Sequence, residues 1–177
     1  MATADALYSD GTNYRPVNAT IRHLKDWMPD VKSVLALGTG LGSLVQIMHS
    51  KGYNPQYTLV EFDKVVLQWA LEFMNKDAAL KTEAICMDAK LFMSRNNQNF
   101  DLVFIDNFNS RVVPDFVTTS LFLGKCKESL NQGGHVAFNF MIDDPVKWIA
   151  AQEIFGEVFE NHTILDLGIN RVLIGWI

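Results

Sequence analysis

Residues 33–48, SVLALGTGLGSLVQIM, decide how this chain folds. A mostly apolar run leads into three glycines at the spacing G-x-G-x-G, and an apolar segment with helical spacing follows. Glycine permits a left-handed backbone and a close approach of the main chain to a ligand, while the first turn of the next helix offers free N–H groups. The stretch therefore predicts a strand, a tight turn and a helix around a nucleotide-like cofactor.

The rest of the sequence repeats this alternation of strand and helix. Apolar runs typical of buried strands occur at YTLVEF (57–62), TEAICM (82–87), FDLVFID (100–106), HVAFNFM (135–141), HTILDL (162–167) and RVLIGWI (171–177). Segments with helical spacing lie between them, at residues 64–75, 89–95, 116–130 and 144–159. The pattern predicts a Rossmann-like α/β fold, with a mostly parallel seven-stranded sheet, helices on both faces and a C-terminal antiparallel hairpin.

Length and charge narrow the class of protein. A chain of 177 residues suits a single domain over residues 1–177, in which residues 1–30 form an N-terminal extension. The spacing of Ile21, Leu24 and Trp27 predicts a short helix in that extension. The formal net charge of −5 provides no basic face, so we expect no nucleic-acid partner.

The cysteines and the lack of long apolar runs bear on the cellular setting. Cys86 and Cys126 lie in apolar segments without the spacing of metal ligands, so we expect reduced core residues and no metal site. The N-terminus lacks the charged start and apolar stretch of a signal peptide, and no apolar run is long enough to span a bilayer. These features predict a cytoplasmic protein without membrane attachment.

Acidic side chains end three of the predicted strands, at the sheet edge where open α/β folds bind ligands. Glu61 ends the second strand, at the distance expected of a carboxylate that binds both ribose hydroxyls, whereas Asp63 suits the N-cap of the next helix. Asp88 could accept a hydrogen bond from an adenine amino group or cap the helix that follows it. Asp106 follows the fourth strand beside the glycine turn, which favours a role at the reacting centre over a turn-forming one.

The glycine spacing distinguishes two kinds of cofactor. The nicotinamide-binding pattern G-x-G-x-x-G would place its third glycine at position 43, which is Ser43 in this chain. The third glycine lies instead at Gly42. The spacing therefore favours S-adenosylmethionine (SAM) over NAD, and a NAD-dependent oxidoreductase is the weaker alternative.

The ordered set of motifs resembles one known family. VLALGTGLGSL (34–44), VEFD (60–63), MDA (87–89), FDLVFID (100–106) and CKESLNQGGHVAFNF (126–140) occur with matching spacing. From about residue 31 to 140 the chain resembles the spermidine synthase (polyamine aminopropyltransferase) branch of the class I SAM-dependent methyltransferases. The resemblance implies that fold, SAM or decarboxylated SAM as cofactor, and a small-molecule acceptor such as an amine. Family members often form homodimers, although the last strand could equally be covered within one monomer.

The resemblance also implies roles for the strand-end residues. The loop beside the methionine-derived tail of the cofactor would consist of Gly38, Thr39, Gly40 and Gly42. Glu61 matches the ribose ligand, and Asp88 in its pair with Ala89 matches the acceptor of the adenine amino group. Asp106 matches the catalytic aspartate, which lies against the cofactor and takes a proton from the attacking amine.

Three departures from the family leave an alternative open. Leu41 stands where the family carries an Asp that holds the cofactor's amine, and Ala36 stands where methyltransferases carry an acid. Asn109 replaces a second acid after the catalytic aspartate. We also expect this chain to lack the family's N-terminal β-rich domain, which helps to build the acceptor site. A domain that binds adenosine-type ligands without turnover is therefore the alternative to a transferase.

Overall fold

The computed structural model describes residues 10–74, 81–108 and 112–177. Within these ranges the strands are β1 (Ser33–Leu37), β2 (Gln56–Glu61), β3 (Thr82–Cys86), β4 (Phe100–Ile105), β5 (Leu130–Met141), β6 (Asn161–Asp166) and β7 (Asn170–Trp176). The helices are α1 (Arg15–His23), α2 (Ser43–Ser50), α3 (Lys64–Phe73), α4 (Ala89–Arg95), α5 (Ser120–Glu128) and α6 (Pro145–Val158). Short 3-10 turns occur at Gly11–Asn13, Met28–Asp30 and Asp115–Thr118.

The strands form one seven-stranded sheet in the order β3-β2-β1-β4-β5-β7-β6. The first five strands of this order are parallel, while β7 runs antiparallel to both β5 and β6. The predicted α/β sheet with its C-terminal hairpin is confirmed. The strand order changes direction at β1, which has β2 as one neighbour and β4 as the other. Open α/β sheets bind ligands at such a switch point.

Alternating side chains of the central strands pack into two separate hydrophobic cores, one on each face of the sheet. Val34 and Ala36 of β1 pack with α1, α2 and α3 on one face of the sheet. Leu35 and Leu37 pack with α4, α5 and α6 on the other face. Because both faces are covered, successive residues are apolar and buried over residues 34–37 of β1 and 102–105 of β4, as a buried parallel sheet requires. The last strand is covered in the same way, since its residues 172–175 are buried between β5 and β6.

Side-chain caps set where the helices begin. Asp63 accepts hydrogen bonds from the N–H groups of Val65 and Val66, as predicted for the N-cap of α3. The helix predicted over residues 116–130 is shorter, because Thr119 has an extended backbone and its hydroxyl caps α5 through the N–H of Phe122. Each helix in the described ranges is too short or too polar to cross a membrane.

Three further sequence predictions need correction. Cys86 is exposed rather than part of the core, because it ends β3 at the edge of the sheet; Cys126 is buried, as predicted. The fifth strand begins at Leu130 rather than after the glycines, since the chain pairs with β4 from Leu130 onward and shifts its register before His135. The short helix predicted from Ile21, Leu24 and Trp27 lies earlier in the chain: α1 spans Arg15–His23, so Leu24 and Trp27 follow its end.

Candidate active site

The register of the sheet places the strand-end residues in one row. The last paired residues of the central strands are Val60 with Leu37, Leu37 with Ile105, and Ile105 with Phe138. The residues that follow them in each strand are Glu61, Gly38, Asp106 and Asn139. Two acids, a glycine and an amide from four neighbouring strands therefore meet at the carboxyl edge of the sheet.

The glycine turn has the conformation that its sequence predicts. Gly38, Gly40 and Gly42 all have positive φ angles, of 82°, 52° and 78°. The Thr39 hydroxyl points inward and donates to the carbonyl of Val60 at 3.3 Å, so this residue offers a ligand only its main chain. The loop thus presents backbone and not side chains at the point where α2 begins.

Glu61 lies against this loop as a nearly buried carboxylate, with 9% of its surface exposed. One oxygen accepts from the N–H of Gly40 at 3.1 Å and the other from the N–H of Asp63 at 3.2 Å. Burial raises the pKa of Glu61, although these backbone hydrogen bonds oppose the change. The two oxygens offer about four lone-pair sites and the backbone donors do not use all of them, so the group can also accept from a hydroxyl of a bound ligand.

Asp88 and Ala89 follow β3, which is separated by β2 and β1 from β4, the strand that precedes Asp106. The Asp88 carboxylate accepts from the N–H of Leu91 at 3.0 Å and so caps α4. Its side chain is exposed and its second oxygen accepts from none of the described residues, whereas Ala89 is buried. The cap is therefore observed, and the predicted contact with adenine remains compatible with it.

Asp106 is held in a polar network that joins three distant parts of the chain. Its Oδ1 accepts from the Tyr14 hydroxyl at 3.0 Å and from the Asn139 amide at 2.7 Å. The same Asn139 nitrogen also donates to the Tyr14 oxygen at 3.0 Å. Asn139 in turn accepts from the Asn170 amide at 3.0 Å. No described residue donates to Asp106 Oδ2, so the carboxylate is anchored through one oxygen only.

Burial dominates the ionisation of Asp106 and raises its pKa from 3.8 to about 6. The hydrogen bonds from Asn139 and Tyr14 favour the ionised form and limit this rise, while the negative charge of Glu61 adds to it. Burial beside Asp106 also raises the pKa of Tyr14, which keeps its phenol protonated as a donor. A carboxylate with a pKa near neutrality is suited to accept and release a proton.

A small cavity of about 20 Å³ lies under the glycine loop, next to Tyr14, Ala36 and Asp106. That volume holds about one water molecule and excludes a nucleoside, so a larger ligand has to lie above the loop along the strand ends. Ala36 and Leu41 are both buried, and Leu41 is only 7% exposed. Neither position supplies a polar group to the site. Asn109, the other departure from the family's motif residues, lies outside the described residues.

Three residues of this site were missed by sequence reasoning. Asn139 had a usable signal, since it is the lone polar residue in the apolar end of the fifth strand, VAFNF. Tyr14 and Asn170 had none, because they lie in the N-terminal extension and in the hairpin. The described residues contain no group of three His, Cys, Asp or Glu side chains that could hold a metal ion.

Comparison with solved structures defines the class of fold. A probable spermidine synthase from Corynebacterium glutamicum superposes with a TM-score of 0.78 at 21% identity, covering 97% of this chain and 65% of that one. Human methyltransferase-like protein 13, solved in complex with SAH, superposes with a TM-score of 0.71 at 19% identity, covering 90% and 78% of the two chains. The chain thus has the Rossmann-like fold of the SAM-dependent methyltransferases.

Sequence comparison defines the family within that fold. The spermine/spermidine synthase domain matches residues 17–140. The polyamine aminopropyltransferase of Vibrio vulnificus is 26% identical over 152 residues, which is 82% of this chain and 50% of the relative. A probable polyamine aminopropyl transferase of Bifidobacterium longum is 25% identical over 77% of this chain and 31% of the relative. The chain belongs to the spermine/spermidine synthase domain family, and it spans half or less of these curated relatives.

Proposed function

We propose that this chain is a SAM-type transferase that moves an aminopropyl or methyl group from a sulfonium donor to a small nucleophile such as an amine. The observation that carries the proposal is the half-anchored Asp106 carboxylate. Among the described residues, two donors hold its Oδ1 and none holds Oδ2, which leaves Oδ2 for a reacting group at the switch point of the sheet. Family membership supports the same class of reaction.

The strand ends beside Asp106 fit the adenosine part of such a donor. Glu61 would accept from the ribose hydroxyls with the lone pairs that Gly40 and Asp63 leave free. Phe62 follows Glu61 directly and is 73% exposed, so its ring is available to cover one face of the base. The second oxygen of Asp88 would accept from the adenine amino group. These contacts would fix the nucleoside along the ends of β2 and β3.

The tail of the donor meets a site with few charges. Because Ala36 and Leu41 are apolar and buried, the acids closest to a tail ammonium would be Asp106 and Glu61. This arrangement favours decarboxylated SAM, whose tail lacks a carboxylate that would lie near these two acids. A repulsion between like charges in a partly buried cleft would weaken the binding of SAM itself.

Asp106 would act on the nucleophile. When bound, the sulfonium group supplies an electron-poor carbon and a leaving sulfur. An ionised Asp106 would hold the ammonium form of the amine by charge and accept its proton on Oδ2. The freed nitrogen lone pair would then form the bond to the carbon of the donor, and the carbon–sulfur electron pair would stay on sulfur. Asn139 and Tyr14 hold the same carboxylate in place through Oδ1. The proton leaves Asp106 for solvent after transfer.

A ligand panel followed by one variant tests the proposal. We expect decarboxylated SAM, SAM, methylthioadenosine or S-adenosylhomocysteine to raise the melting temperature by about 5 °C or more at a hundred times the Kd, and NAD to leave it unchanged. Mass spectrometry with a set of diamines should then detect the alkylated amine. Asp106→Asn should abolish product while keeping the thermal shift by methylthioadenosine, which has no tail ammonium for Asp106 to contact.

Asp30→Asn is the matched control, since Asp30 is an exposed residue ahead of β1, at the opposite edge of the sheet. It should retain both binding and turnover. A shift by adenosine-type ligands with no product for any acceptor would favour a binding domain without catalysis. A shift by NAD alone, or normal turnover by Asp106→Asn, would overturn the proposal.

A further inference from the structure

We propose that Asn170 is a positioning residue, which orients the Asn139 amide so that Asn139 holds the Asp106 carboxylate. The orientation can be tested on the protein alone, and only its kinetic consequence rests on the proposed function. Asn170 is the first residue of β7, beyond the region that the family domain matches.

The sheet register brings the two amides together. Asn139 pairs with Val172, and Met141 pairs with Asn170, in the antiparallel ladder of β5 and β7. Asn170 is therefore two residues from the partner of Asn139 and lies on the same face of the sheet, where diagonal neighbours are within reach of each other. The Asn170 nitrogen donates to the Asn139 oxygen at 3.0 Å.

The donors and acceptors around Asn139 allow only one orientation of its amide. Its nitrogen faces two acceptors, the carboxylate of Asp106 at 2.7 Å and the oxygen of Tyr14 at 3.0 Å, and its oxygen faces the nitrogen of Asn170. A rotated amide would set its oxygen against the two acceptors and its nitrogen against another nitrogen. Because Asn139 is 0% exposed, bulk solvent does not compensate for these mismatches.

Removal of the Asn170 donor would leave the Asn139 oxygen unpaired and its amide free to reorient. Among the described residues, the charged and titratable groups that face Asp106 from the surrounding elements are Glu61 on β2 and Tyr14 ahead of α1. Both remain in place in an Asn170 variant, so a change at Asp106 reports on Asn139. The backbone of the hairpin is held independently, since the carbonyl of Asn170 accepts from the N–H of Leu167 at 3.0 Å.

Carboxyl-detected NMR of the ligand-free protein tests this role. With ¹³C-labelled Asp, and with the Asp106 signal assigned by its loss in Asp106→Asn, Asn170→Ala should raise the pKa of Asp106 by about half a unit to one unit. If the transferase activity holds, kcat should fall by about 3- to 10-fold with little change in the KM of the donor. The pH at which the rate is half-maximal should rise by the same amount.

Asn131→Ala is the matched control. Asn131 lies at the start of β5, the strand that carries Asn139, and donates to Asp101 at 2.7 Å, so the variant removes an asparagine amide donor at the opposite edge of the sheet. It should leave the Asp106 titration unchanged. An Asp106 titration that is the same in Asn170→Ala and in the unmutated protein would overturn the positioning role, whether or not turnover is found.

A second measurement needs no variant of Asn170. In the unmutated protein, ¹⁵N signals of the Asn139 and Asn170 side-chain amides should both move with the titration of Asp106, because the two amides are linked in series. If the Asn170 amide does not respond while that of Asn139 does, the proposed link is wrong. If Asn170→Ala shifts the pKa of Asp106 but the unmutated protein shows no turnover, the positioning role stands and only the proposed function is contradicted.

Discussion

Gly38 lies directly against the main chain of Asp106. A Cβ atom on Gly38 would collide with the carbonyl oxygen of Asp106 and would lie 2.8 Å from its carbonyl carbon and 3.1 Å from the nitrogen of Asn107. Gly38 also has a φ of 82°, in the left-handed region. The first glycine of the turn is therefore required twice, by its own conformation and by the residue that it supports on the neighbouring strand.

Gly38→Ala should accordingly destabilise the protein more than strain alone would. We expect Gly52→Ala, at a φ of 83° with nothing within 4 Å of the added carbon, to cost about 1 kcal/mol. Gly38→Ala should cost about 1–3 kcal/mol more, because the backbone of Asp106 has to move. Urea denaturation of both variants measures the difference. Equal losses of stability would show that the close contact with Asp106 carries no cost.

The raised pKa of Asp106 predicts how the stability depends on pH. The folded protein releases this proton at a pKa of about 6 and the unfolded chain at 3.8, so the charged group opposes folding as the pH rises through this window. Asp106→Asn cannot ionise, and its stability relative to the unmutated protein should rise between pH 4 and pH 7, by up to about 3 kcal/mol. Denaturation at each pH tests this, and a difference that stays constant would contradict it.

The rate of the proposed reaction should increase with pH over the range in which the stability of the unmutated protein decreases. If Asp106 accepts the proton of the nucleophile, it acts only when ionised, and kcat should increase with pH and level off above a pKa of about 6. Single-turnover measurements between pH 5 and pH 8 would follow this limb. A rate that falls over the same range would argue for a protonated Asp106 as an acid.

Asp101 anchors the other edge of the sheet, and its loss should be costly. Its carboxylate accepts from the N–H groups of Lys32 and Ser33 at 2.7 and 2.9 Å and from the Asn131 amide at 2.7 Å. Partial burial opposes ionisation, but these hydrogen bonds outweigh it and lower the pKa of Asp101. Asp101→Ala should reduce stability by roughly 2 kcal/mol near pH 7.

That difference should vanish in acid. Because the pKa of Asp101 is lower in the folded state, its contribution is complete above the unfolded value of 3.8 and is lost as the pH falls through the folded value. The exposed Asp26 provides a control, and Asp26→Ala should change stability by less than about 0.5 kcal/mol. An Asp101→Ala penalty that does not decrease as the pH falls below 3.8 would show that packing, not charge, is lost.

Two tyrosines allow one chemical change to be compared in two settings. The hydroxyl of Tyr57 is buried and has no hydrogen-bond partner among the described residues, and burial raises its pKa. Tyr57→Phe should therefore leave the stability unchanged or raise it by up to about 1 kcal/mol. Tyr14→Phe removes hydrogen bonds to Asp106 and Asn139 and should cost about 1–2 kcal/mol. Thermal unfolding of both variants checks the sign, and a large loss from Tyr57→Phe would reveal a partner for that hydroxyl.

The sequence alone was sufficient for the architecture, because the information lies in local patterns. Unbroken apolar runs such as the one before Gly38 predict strands buried on both faces, and glycine spacing predicts the turn. The same reasoning placed Glu61 and Asp106 at strand ends. It also placed Asp63 as a cap, since a side chain two or three residues from its acceptors is a local feature.

The exposure of residues at the sheet edge and the exact ends of helices could not be predicted from local sequence patterns. Cys86 sits in an apolar run like that of a buried strand, yet it is exposed because its strand has a neighbour on one side only. The predicted fifth helix was too long because the Thr119 hydroxyl competes for the backbone and begins the helix later. Neither outcome follows from the periodicity of apolar residues. That periodicity shows neither which strand lies at the edge of the sheet nor where a side chain caps a helix.

The polar network at Asp106 was decided by the tertiary structure. Tyr14 is 92 residues from Asp106 in sequence, Asn139 is 33 residues from it, and Asn170 lies a further 31 residues beyond Asn139. Sequence determined the strands on which Asp106 and Asn139 lie, because each strand is encoded by its own apolar period. Only the strand order and register brought these side chains within hydrogen-bonding distance, since pairing between distant segments depends on the whole sheet and not on the residues nearby.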